Sequence, residues 1–443
     1  MNQQRYIAAI EISSSKVIGA IGVTSGAGQL EILAVEQEHA VASVRYGQIH
    51  NLEETSMRIG RILDRLEQHP AVSPRRIKSL YVGLSGRSLR SIPVTVKLDL
   101  ADDTEVSDEI ISRLREDALR TAIDNTLEVV DAVPRTYHVG KTETQSPKGM
   151  VGNSISATFD IIVCRPEMRR NIVRTLTDKL NLRIEGFVIT ALACGHLILS
   201  NEEKRLGCML ADIGAETTTV TIYSHGCLRY FATLPMGGRN ITLDLTSLHL
   251  LEEKAEDIKI TSCSALAREG GSSINLNGLR SSDISNLVVA RSEEIVANIL
   301  EQVTYAGLSE KDIAGGIVCI GGGSRLDGIT ELLSRQSGLQ AHWGQLPNYV
   351  TVSDHRASSA EITEVASVLY AAATLGNVEC LAEPKKEELP VTGEAPEETP
   401  APPEESEQRP RRERSKIMGG FARRLAKIFA PPEEDDDDSD IID

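Results

Sequence analysis

The sequence predicts an α/β fold made of two related halves that face each other across a cleft, and three observations lead to this prediction. An apolar strand that ends in an acid and continues through a turn into a second strand occurs near the N-terminus and again near the middle of the chain. A third stretch runs from a strand through three glycines into a helix start. The elements that follow each hairpin also repeat in order, and such internal repetition is typical of a duplicated fold.

The N-terminal hairpin consists of the apolar strand Arg5–Glu11, the turn Ile12–Ser15 and the second strand Lys16–Val23. The first strand of this hairpin ends at Glu11, and the first strand of the middle hairpin also ends in an acidic residue. The later elements of the two halves are expected to match in four pairs. These are Leu30–Glu36 with Cys227–Thr233, Ala157–Cys164 with Gly316–Ile320, Glu167–Leu180 with Leu326–Arg335, and Arg183–Val188 with Leu339–Trp343.

The middle hairpin occupies Gly207–Tyr223. Cys208–Leu210 predicts a short buried strand, and Thr217–Tyr223 alternates as a second strand does. Asp212 stands where the first strand ends, so its carboxylate can face a hydrated divalent cation, while Gly214 lets the turn approach phosphate oxygens closely. The pattern predicts a phosphate-binding hairpin, with an ordinary hairpin as the alternative.

The stretch Gly315–Ser324 runs from a strand into Gly321, Gly322 and Gly323 and then into a helix. Glycines let the backbone pass close to a flat ring or a phosphate, and the helix N-terminus offers unpaired N–H groups. Alone, the stretch would be a glycine-rich strand-to-helix turn. Beside two hairpins that end in acids, it predicts the nucleoside side of a nucleotide pocket.

The order of these motifs resembles the actin, hexokinase and DnaK-type chaperone superfamily and, within it, the bacterial cell-division FtsA family. The resemblance covers nearly the whole chain up to about Asn377. It implies an actin-like duplicated ATPase fold with an inserted α+β subdomain and a C-terminal amphipathic helix. It further implies a protein that binds ATP and Mg²⁺, polymerises and anchors the FtsZ ring to the cytoplasmic membrane. The segments that carry it are EISSSKVIGAIG and ADIGAETTTVTIY for the phosphate loops, LPMGGRNITLDL for the connecting segment, KAEDIKI near the ribose, and GGIVCIGGGSRLDGI for the adenosine loop.

The same resemblance implies roles for individual residues. Glu11 and Asp212 would face the hydrated metal ion. Glu256 and Lys259, three apart on one helix face, would bracket the ribose, although a solvent-exposed ion pair explains them equally well. The implied phosphate contacts are Ser14, Ser15, Lys16, Gly214, Thr217 and Thr218, and the implied nucleoside contacts are Gly321, Gly322, Gly323 and Ser324.

Four positions depart from the family pattern. Glu11 and Ser13 stand where the first loop usually has Asp and Gly, and Glu216 and Thr219 stand where the second usually has Gly and Asp. A carboxylate at position 216 that pointed inward would repel phosphate by about 1 kcal/mol at 4 Å in water. The segment Val188–Ala191 also lacks the Gln or Glu that orients attacking water in other superfamily members, which favours slow or absent hydrolysis.

Interruptions of the repeat divide the chain into domains. The block from Leu84 to Cys164 has no counterpart in the second half, and we interpret it as an inserted α+β subdomain. By resemblance it mediates contacts with other division proteins and between filament subunits, and the helical region 240–313 carries the docking surface for the C-terminal peptide of FtsZ. The predicted divisions are 1–83 and 165–205 for the first domain, 84–164 for the insert, 206–239 and 314–378 for the second domain, 240–313 for the helical subdomain, 379–414 for a disordered linker, 415–430 for a membrane-targeting helix and 431–443 for an acidic tail.

The composition changes sharply beyond the body of the protein. Glu383–Pro410 is rich in Pro and Glu, which predicts a disordered linker. Ser415–Ala430 has one apolar face with flanking cations, which is typical of an interfacial membrane anchor; a helix that docks on the body or on a partner protein is the alternative. The acidic block Glu433–Asp438 would act as a weak brake on binding to anionic lipid, with a plain solvated tail as the alternative. The predicted membrane-binding residues are Lys416, Ile417, Met418, Phe421, Arg424, Leu425, Lys427, Ile428 and Phe429.

Composition limits the remaining classes of function. The net charge of −17 and the sequence pI of about 5.1 argue against a nucleic-acid-binding surface. Seven cysteines without metal-ligand spacing fit a reducing compartment. The N-terminus lacks a signal-peptide pattern and no run reaches the roughly 18 apolar residues of a spanning helix. We therefore expect a protein in the cytosol or on the cytosolic face of the cell membrane. The family resemblance further implies a peripheral membrane protein at the division site.

Three alternative functions stay open. A pilus-assembly platform protein of the same fold would share the pocket, but the helix at 415–430 speaks against it. A small-molecule kinase would need a catalytic carboxylate in a substrate cleft, and the sequence indicates none. A scaffold that keeps the fold and partners without binding nucleotide is consistent with Ser13, Glu216 and Thr219.

Overall fold

The structure, a computed structural model, describes residues 4–25, 28–40, 42–121, 123–267, 280–375 and 378–383. The predicted membrane-targeting helix at 415–430, the acidic tail and most of the predicted linker lie outside these residues.

From the N-terminus to the end of the insert, the described residues form eleven strands and two helices. The first domain begins with β1 (Arg5–Ile12), β2 (Lys16–Ser25), β3 (Gln29–His39), β4 (Val44–Arg45), β5 (Gln48–Ile49), α1 (Leu52–Gln68), β6 (Arg76–Ile77) and β7 (Ser79–Leu84). The insert contains β8 (Arg90–Glu105), α2 (Asp108–Leu119), β9 (Glu128–Val139), β10 (Thr142–Thr144) and β11 (Val151–Cys164).

The remaining elements complete both halves. The first domain resumes with α3 (Pro166–Val173), a π-helical segment (Arg174–Lys179), β12 (Arg183–Ile189), α4 (Thr190–Ile198) and α5 (Asn201–Leu206). The second contains β13 (Cys208–Ile213), β14 (Thr218–Ser224), β15 (Cys227–Leu234), α6 (Gly238–Thr246), α7 (Glu252–Ser262), α8 (Ser281–Tyr305), β16 (Ile317–Ile320), α9 (Ile329–Ser337) and β17 (Ala341–Trp343), with 3₁₀ turns at Glu310–Ile313 and Gly322–Arg325. The chain then returns to the first domain through β18 (Val350–Val352), α10 (Thr363–Leu375) and β19 (Leu381–Ala382).

The predicted duplication is present in the sheets. The first half contains the strand order β3-β2-β1-β7-β12, and the second contains β15-β14-β13-β16-β17. In both, the first three strands pair antiparallel and the last two join in parallel. The two halves therefore place the ends of β1 and β13 in equivalent positions.

One of the predicted strand pairs is wrong. The counterpart of Ile317–Ile320 is Ser79–Leu84, which runs parallel to β1, and not Ala157–Cys164. Ala157–Cys164 is the end of β11, which pairs antiparallel with β8 and β9 inside the insert. Since a buried strand of either kind is a short apolar run, the sequence pattern does not distinguish the two.

The insert contacts the second half through a strand pair. Ala232 of β15 pairs with Arg90 of β8, so the two sheets are continuous. The Phe231 N–H donates to the Ser91 hydroxyl at 3.1 Å. The insert is thereby positioned by the second half as well as by the chain ends that connect it to the first.

A shared apolar core joins the halves beneath the cleft. α10 packs against α4 and against β1, β2 and β7. The same cluster of buried side chains includes Ile10 of the first sheet and Leu210, Tyr223 and Val318 of the second. The base of the cleft is therefore filled with packed apolar side chains.

The predicted start of the linker at 379 is wrong, because the body extends to Glu383. Leu381 pairs antiparallel with Ile77, and the Cys380 N–H donates to the Tyr6 carbonyl at 2.8 Å. Cys380 and Leu381 are buried. The Pro/Glu-rich composition that suggested a linker begins only beyond this small two-stranded sheet.

Among the helices within the described ranges, none is long and apolar enough to cross a lipid bilayer.

Candidate functional site

A cavity of about 410 Å³ lies between the two halves, at the ends of β1 and β13. This volume falls within the range of ligand pockets. Most of the residues singled out from the sequence line it together: Glu11, Ser14, Ser15, Lys16, Asp212, Gly214, Thr217, Glu256, Lys259, Gly322 and Gly323.

Three of the sequence-derived residues do not line the cavity. The buried Thr218 hydroxyl donates to the Met236 carbonyl at 2.9 Å. The buried Ser324 hydroxyl donates to the Gly321 carbonyl at 2.7 Å. The side chains of Thr218 and Ser324 thus hold the surrounding turns, while Gly321 lies directly behind Asp212.

The two strand-end carboxylates differ in their partners. Glu11, which is 3% exposed, accepts hydrogen bonds from the Ser85 hydroxyl at 2.6 Å and the Thr190 hydroxyl at 2.7 Å. No residue within the described ranges donates a hydrogen bond to the Asp212 carboxylate. Glu11 is therefore oriented by the protein, and Asp212 keeps its oxygens available to a ligand.

A glycine makes room for each carboxylate. A Cβ atom on Gly83 of β7 would lie 1.6 Å from Glu11 Oε2, and one on Gly321 would lie 2.5 Å from Asp212 Oδ1. Gly321 also has a φ of 85°, a conformation that L side chains rarely adopt. The two halves therefore use the same device, a glycine on the parallel neighbouring strand or directly after it.

The carboxyl groups that face the cavity have raised pKa values, chiefly because they are buried and, for Glu11 and Asp212, also because of neighbouring carboxylates. Burial raises the pKa of Glu11 to about 7, opposed by the Ser85 and Thr190 hydrogen bonds and assisted by Glu364. Burial, followed by the charges of Glu364 and Glu11, raises the pKa of Asp212 well above its usual value. The pKa of Glu364 is also raised by burial. A bound cation would relieve this repulsion.

The raised pKa of Glu11 predicts a pH dependence of stability in the absence of ligand. The folded chain holds this proton up to about pH 7, whereas the unfolded chain releases it near the ordinary glutamate pKa of 4.5. The contribution of Glu11 to the free energy of unfolding is therefore greatest below about pH 4.5 and is lost as the pH rises through about 7. Glu11→Gln should flatten the fall in stability between these values, as measured by urea unfolding of the ligand-free protein.

A matched control is Glu361→Gln, which also lines the cavity but is exposed at the surface. It should leave the pH dependence as in the wild type. An unchanged slope in Glu11→Gln would show that another group takes up the proton.

The donor set fits Mg²⁺. This cation binds through one or two carboxylates and completes its coordination with water and phosphate oxygens. Glu11 and Asp212 provide one carboxylate from each half, facing one cavity. Within the part of the chain that the structure describes, no group of three or more His, Cys, Asp or Glu side chains forms an all-protein metal site. An ion here would therefore need ligand or water oxygens.

The two hairpin turns have matching geometry. The Ser13 N–H donates to the Lys16 carbonyl at 3.0 Å, and the Gly214 N–H donates to the Thr217 carbonyl at 2.8 Å. Each closes a four-residue turn that lines the cavity. Successive N–H groups in such turns can form an anion-binding concavity. Ser13 thus forms the same closing bond in its turn as Gly214 does in the other.

Glu216 does not point into the cavity. Its carboxylate lies 2.9 Å from Arg45 Nε and 2.9 Å from Arg239 Nη1, and it accepts a hydrogen bond from the Tyr46 N–H at 2.7 Å. The inward orientation that would repel phosphate is therefore absent. Thr219, by contrast, lines the cavity where the family usually has Asp.

Glu256 and Lys259 form an ion pair on the wall of the cavity. Lys259 Nζ lies 2.7 Å from Glu256 Oε2 and donates to the Gly238 carbonyl at 3.1 Å. The Lys259 side chain is 12% exposed and that of Glu256 is 42% exposed, so the pair is enclosed on the lysine side and open to solvent on the other. This placement is compatible with a ribose contact.

Sequence reasoning missed several residues of the cavity, and three of them carry polar or charged side chains beside the predicted site: Ser85, Arg325 and Glu364. Arg325 follows the glycine-rich stretch directly and stacks under the Trp343 ring, whose centroid is 5.3 Å from its guanidinium carbon. Glu364 is in the first turn of α10. Arg325 could have been found from its position beside the glycines, whereas nothing local marks Ser85 or Glu364.

Comparison with known proteins identifies the family. The model of "Cell division protein FtsA" matches residues 209–373, and the model of the SHS2 domain inserted in FtsA matches residues 86–163, within the predicted insert. The cell division protein FtsA of Porphyromonas gingivalis is 33% identical over 332 residues, which are 72% of this chain and 68% of the relative. The FtsA of Neisseria meningitidis is 28% identical over 392 residues, covering 85% of this chain and 92% of the relative.

A solved structure supports the fold. The chain resembles a component of the PilM-PilN type IV pilus biogenesis complex with a TM-score of 0.57 and 17% sequence identity, over 82% of this chain and 97% of that one. With its duplicated sheets, its cleft and its inserted SHS2 domain, the chain has the actin-like ATPase fold and belongs to the FtsA family of cell division proteins.

Proposed function

We propose that this protein binds ATP with Mg²⁺ in the cavity between its halves, polymerises as an actin-like filament and tethers the FtsZ ring to the cytoplasmic membrane. The observation that carries the nucleotide part is the convergence of two matching turns and two strand-end carboxylates on one cavity of about 410 Å³. Family membership supports the role in division.

The roles in the cavity follow from its geometry. Glu11 and Asp212 would hold the hydrated Mg²⁺, which neutralises phosphate charge when bound. The turns at Ser14, Ser15 and Lys16 and at Gly214 and Thr217 would bind the phosphates. Gly322 and Gly323 would lie against the nucleoside, with Glu256 and Lys259 at the ribose.

Hydrolysis would be slow or absent. α4 opens with Thr190, whose hydroxyl is already engaged in a hydrogen bond to Glu11. A water-positioning or general-base group contributes about 10²–10⁴-fold to a rate, and none stands at this helix start. Nucleotide would therefore act mainly as a switch between filament states.

Membrane attachment would come from residues 415–430. Partial burial of six apolar side chains would give roughly 6–9 kcal/mol, and four cations would add about 1 kcal/mol each near an anionic leaflet. Folding the segment into a helix opposes this by about 1 kcal/mol per residue. One anchor is thus weak, while many anchors on a filament bind firmly through effective concentration. This coupling would place the protein on the cytoplasmic face of the membrane at the division site.

Partner contacts would divide between two surfaces. The helical subdomain at 240–313 would dock the C-terminal peptide of FtsZ, and the insert at 84–164 would contact neighbouring subunits and other division proteins. Both assignments rest on family resemblance.

The test of the proposed function is recruitment of FtsZ to vesicles. Anionic vesicles incubated with the full-length protein and MgATP should co-sediment FtsZ, because the filament presents both the anchor and the docking surface. An FtsZ that lacks its C-terminal peptide is the control and should stay in the supernatant. Recruitment of both forms alike, or of neither, would contradict the tether.

The same vesicle experiment distinguishes two alternative functions from this proposal. A pseudo-ATPase scaffold would recruit FtsZ equally well without nucleotide. A pilus-assembly platform protein, the role suggested by the PilM-PilN likeness, would not bind FtsZ.

A further inference from the structure

A short hairpin turn links the two phosphate-binding turns. β4 and β5 are joined by Tyr46 and Gly47, whose φ angles are 49° and 73°. Positive φ at both central residues is the hallmark of a tight two-residue hairpin turn. In such a turn the two central N–H groups point away from the hairpin, so they need partners elsewhere.

Each N–H finds its partner in a different half. The Gly47 N–H donates to the Ser14 hydroxyl at 2.9 Å, within the first phosphate turn. The Tyr46 N–H donates to Glu216 Oε2 at 2.7 Å, within the second. One turn of the first half therefore touches both phosphate turns at adjacent backbone positions.

Charge strengthens the contact across the cleft. Glu216 is buried between Arg45 of the first half and Arg239 of the second, each with a nitrogen 2.9 Å from Oε1. Arg239 is also held by Glu252 at 2.7 Å. A hydrogen bond to a charged acceptor is stronger than a neutral one, and this one is largely shielded from water.

The turn is fixed from its other side as well. The Arg87 N–H donates to the Tyr46 carbonyl at 3.1 Å, and the Arg87 guanidinium lies 5.0 Å from the centroid of the Tyr46 ring. A Cβ on Gly47 would lie 2.6 Å from the Cα of Gly86. The turn is thus packed against the start of the insert and has little room to move by itself.

We propose that Glu216 is a positioning residue that holds the two halves closed through the Tyr46–Gly47 turn, and so sets the separation of the phosphate turns before any ligand binds. Glu216 stands where the family usually has glycine, which could not form this contact. The residue whose departure from the family pattern suggested a defective phosphate site thus joins the two halves behind that site. We call its contacts with Arg45, Arg239 and the Tyr46 N–H the clasp. The clasp acts in the free protein and does not depend on nucleotide binding.

The separation of the halves in solution tests the clasp. Spin labels at Gln37→Cys in the first half and Glu253→Cys in the second occupy exposed positions, and their distance can be measured by double electron–electron resonance in the full-length protein. The seven native cysteines are buried, and burial raises the pKa of Cys164, Cys208 and Cys319 to about 12. Their thiolate forms are suppressed, so the introduced thiols react selectively.

The ligand-free protein should give one narrow distance distribution. Glu216→Ala and Arg45→Ala should each add a longer population, with a fall of at least about tenfold in the ratio of closed to open molecules for Glu216→Ala. Glu216→Gln, which can still accept from the Tyr46 N–H, should fall between. Arg335→Ala removes an exposed ion pair inside the second half and should keep the wild-type distribution.

Arg45 is 43% exposed, so its alanine variant should fold even if Glu216→Ala does not. A wild-type distribution in Arg45→Ala would overturn the proposal. A longer population in both variants, together with a wild-type protein that binds no MgATP, would support the clasp and contradict the proposed nucleotide function. The two failures are therefore distinguishable.

Discussion

Asp212→Ala is expected to weaken MgATP binding at least about 100-fold. Asp212 is the strand-end carboxylate of the second half, it lines the cavity, and the described protein groups leave its oxygens without hydrogen bonds. Removing one partner of a buried charge interaction costs about 2–5 kcal/mol, which corresponds to about 30- to 4,000-fold in affinity. The measurement is equilibrium titration with a fluorescent ATP analogue in the presence of Mg²⁺.

The stability of this variant should move in the opposite direction from its affinity. In the absence of ligand, burial raises the pKa of Asp212 well above its usual value, and repulsion from Glu364 and Glu11 raises it further. Its removal relieves this repulsion, so the free protein should unfold at the same or a higher temperature. Asp257→Ala, on the exposed side of α7, is the control and should change neither property. Wild-type affinity in Asp212→Ala would remove the metal role from this residue.

Phe421→Glu combined with Ile428→Glu should lower vesicle affinity at least about 100-fold. Each substitution removes about 1–1.5 kcal/mol of partial apolar burial and adds a negative charge next to an anionic leaflet, at about 1 kcal/mol per charge. The change should be measured by co-sedimentation of the full-length protein with anionic vesicles at low salt.

Glu405→Gln, in the predicted linker, is the matched control and should bind vesicles as the wild type does. If the double variant also bound as the wild type does, the segment at 415–430 would be a helix for a protein partner rather than a membrane anchor.

The features that the sequence predicted correctly are those that depend on neighbours along the chain. The two hairpins were visible because Glu11 and Asp212 each end an apolar run and precede a turn. The gathering of these acids with Lys16 and Gly214 around one cavity followed from the repeat, since equivalent strands in duplicated halves end at equivalent places. Lys259, which lies in a helix outside the repeat, was named only through the family resemblance.

The features that were missed or wrong depend on contacts distant in sequence. Ala157–Cys164 was matched with the strand Gly316–Ile320 of the second half because its apolar pattern is the same as that of a central strand; its pairing with β8 and β9 shows that it belongs to the sheet of the insert instead. Likewise, the direction of Glu216 is decided by Arg45, which lies far away along the chain. Glu364 enters the cavity only because α10 returns to the first sheet after the second half is complete.

The most direct test of the account is binding of MgATP to the wild-type protein. A chain that ends at Glu383 retains β19 and its pairing with β6 and lacks the anchor, so it suits equilibrium titration. We expect saturable binding at one site per chain that requires Mg²⁺. No binding up to millimolar ATP would contradict it, and the cleft would then belong to a scaffold that acts in division without nucleotide.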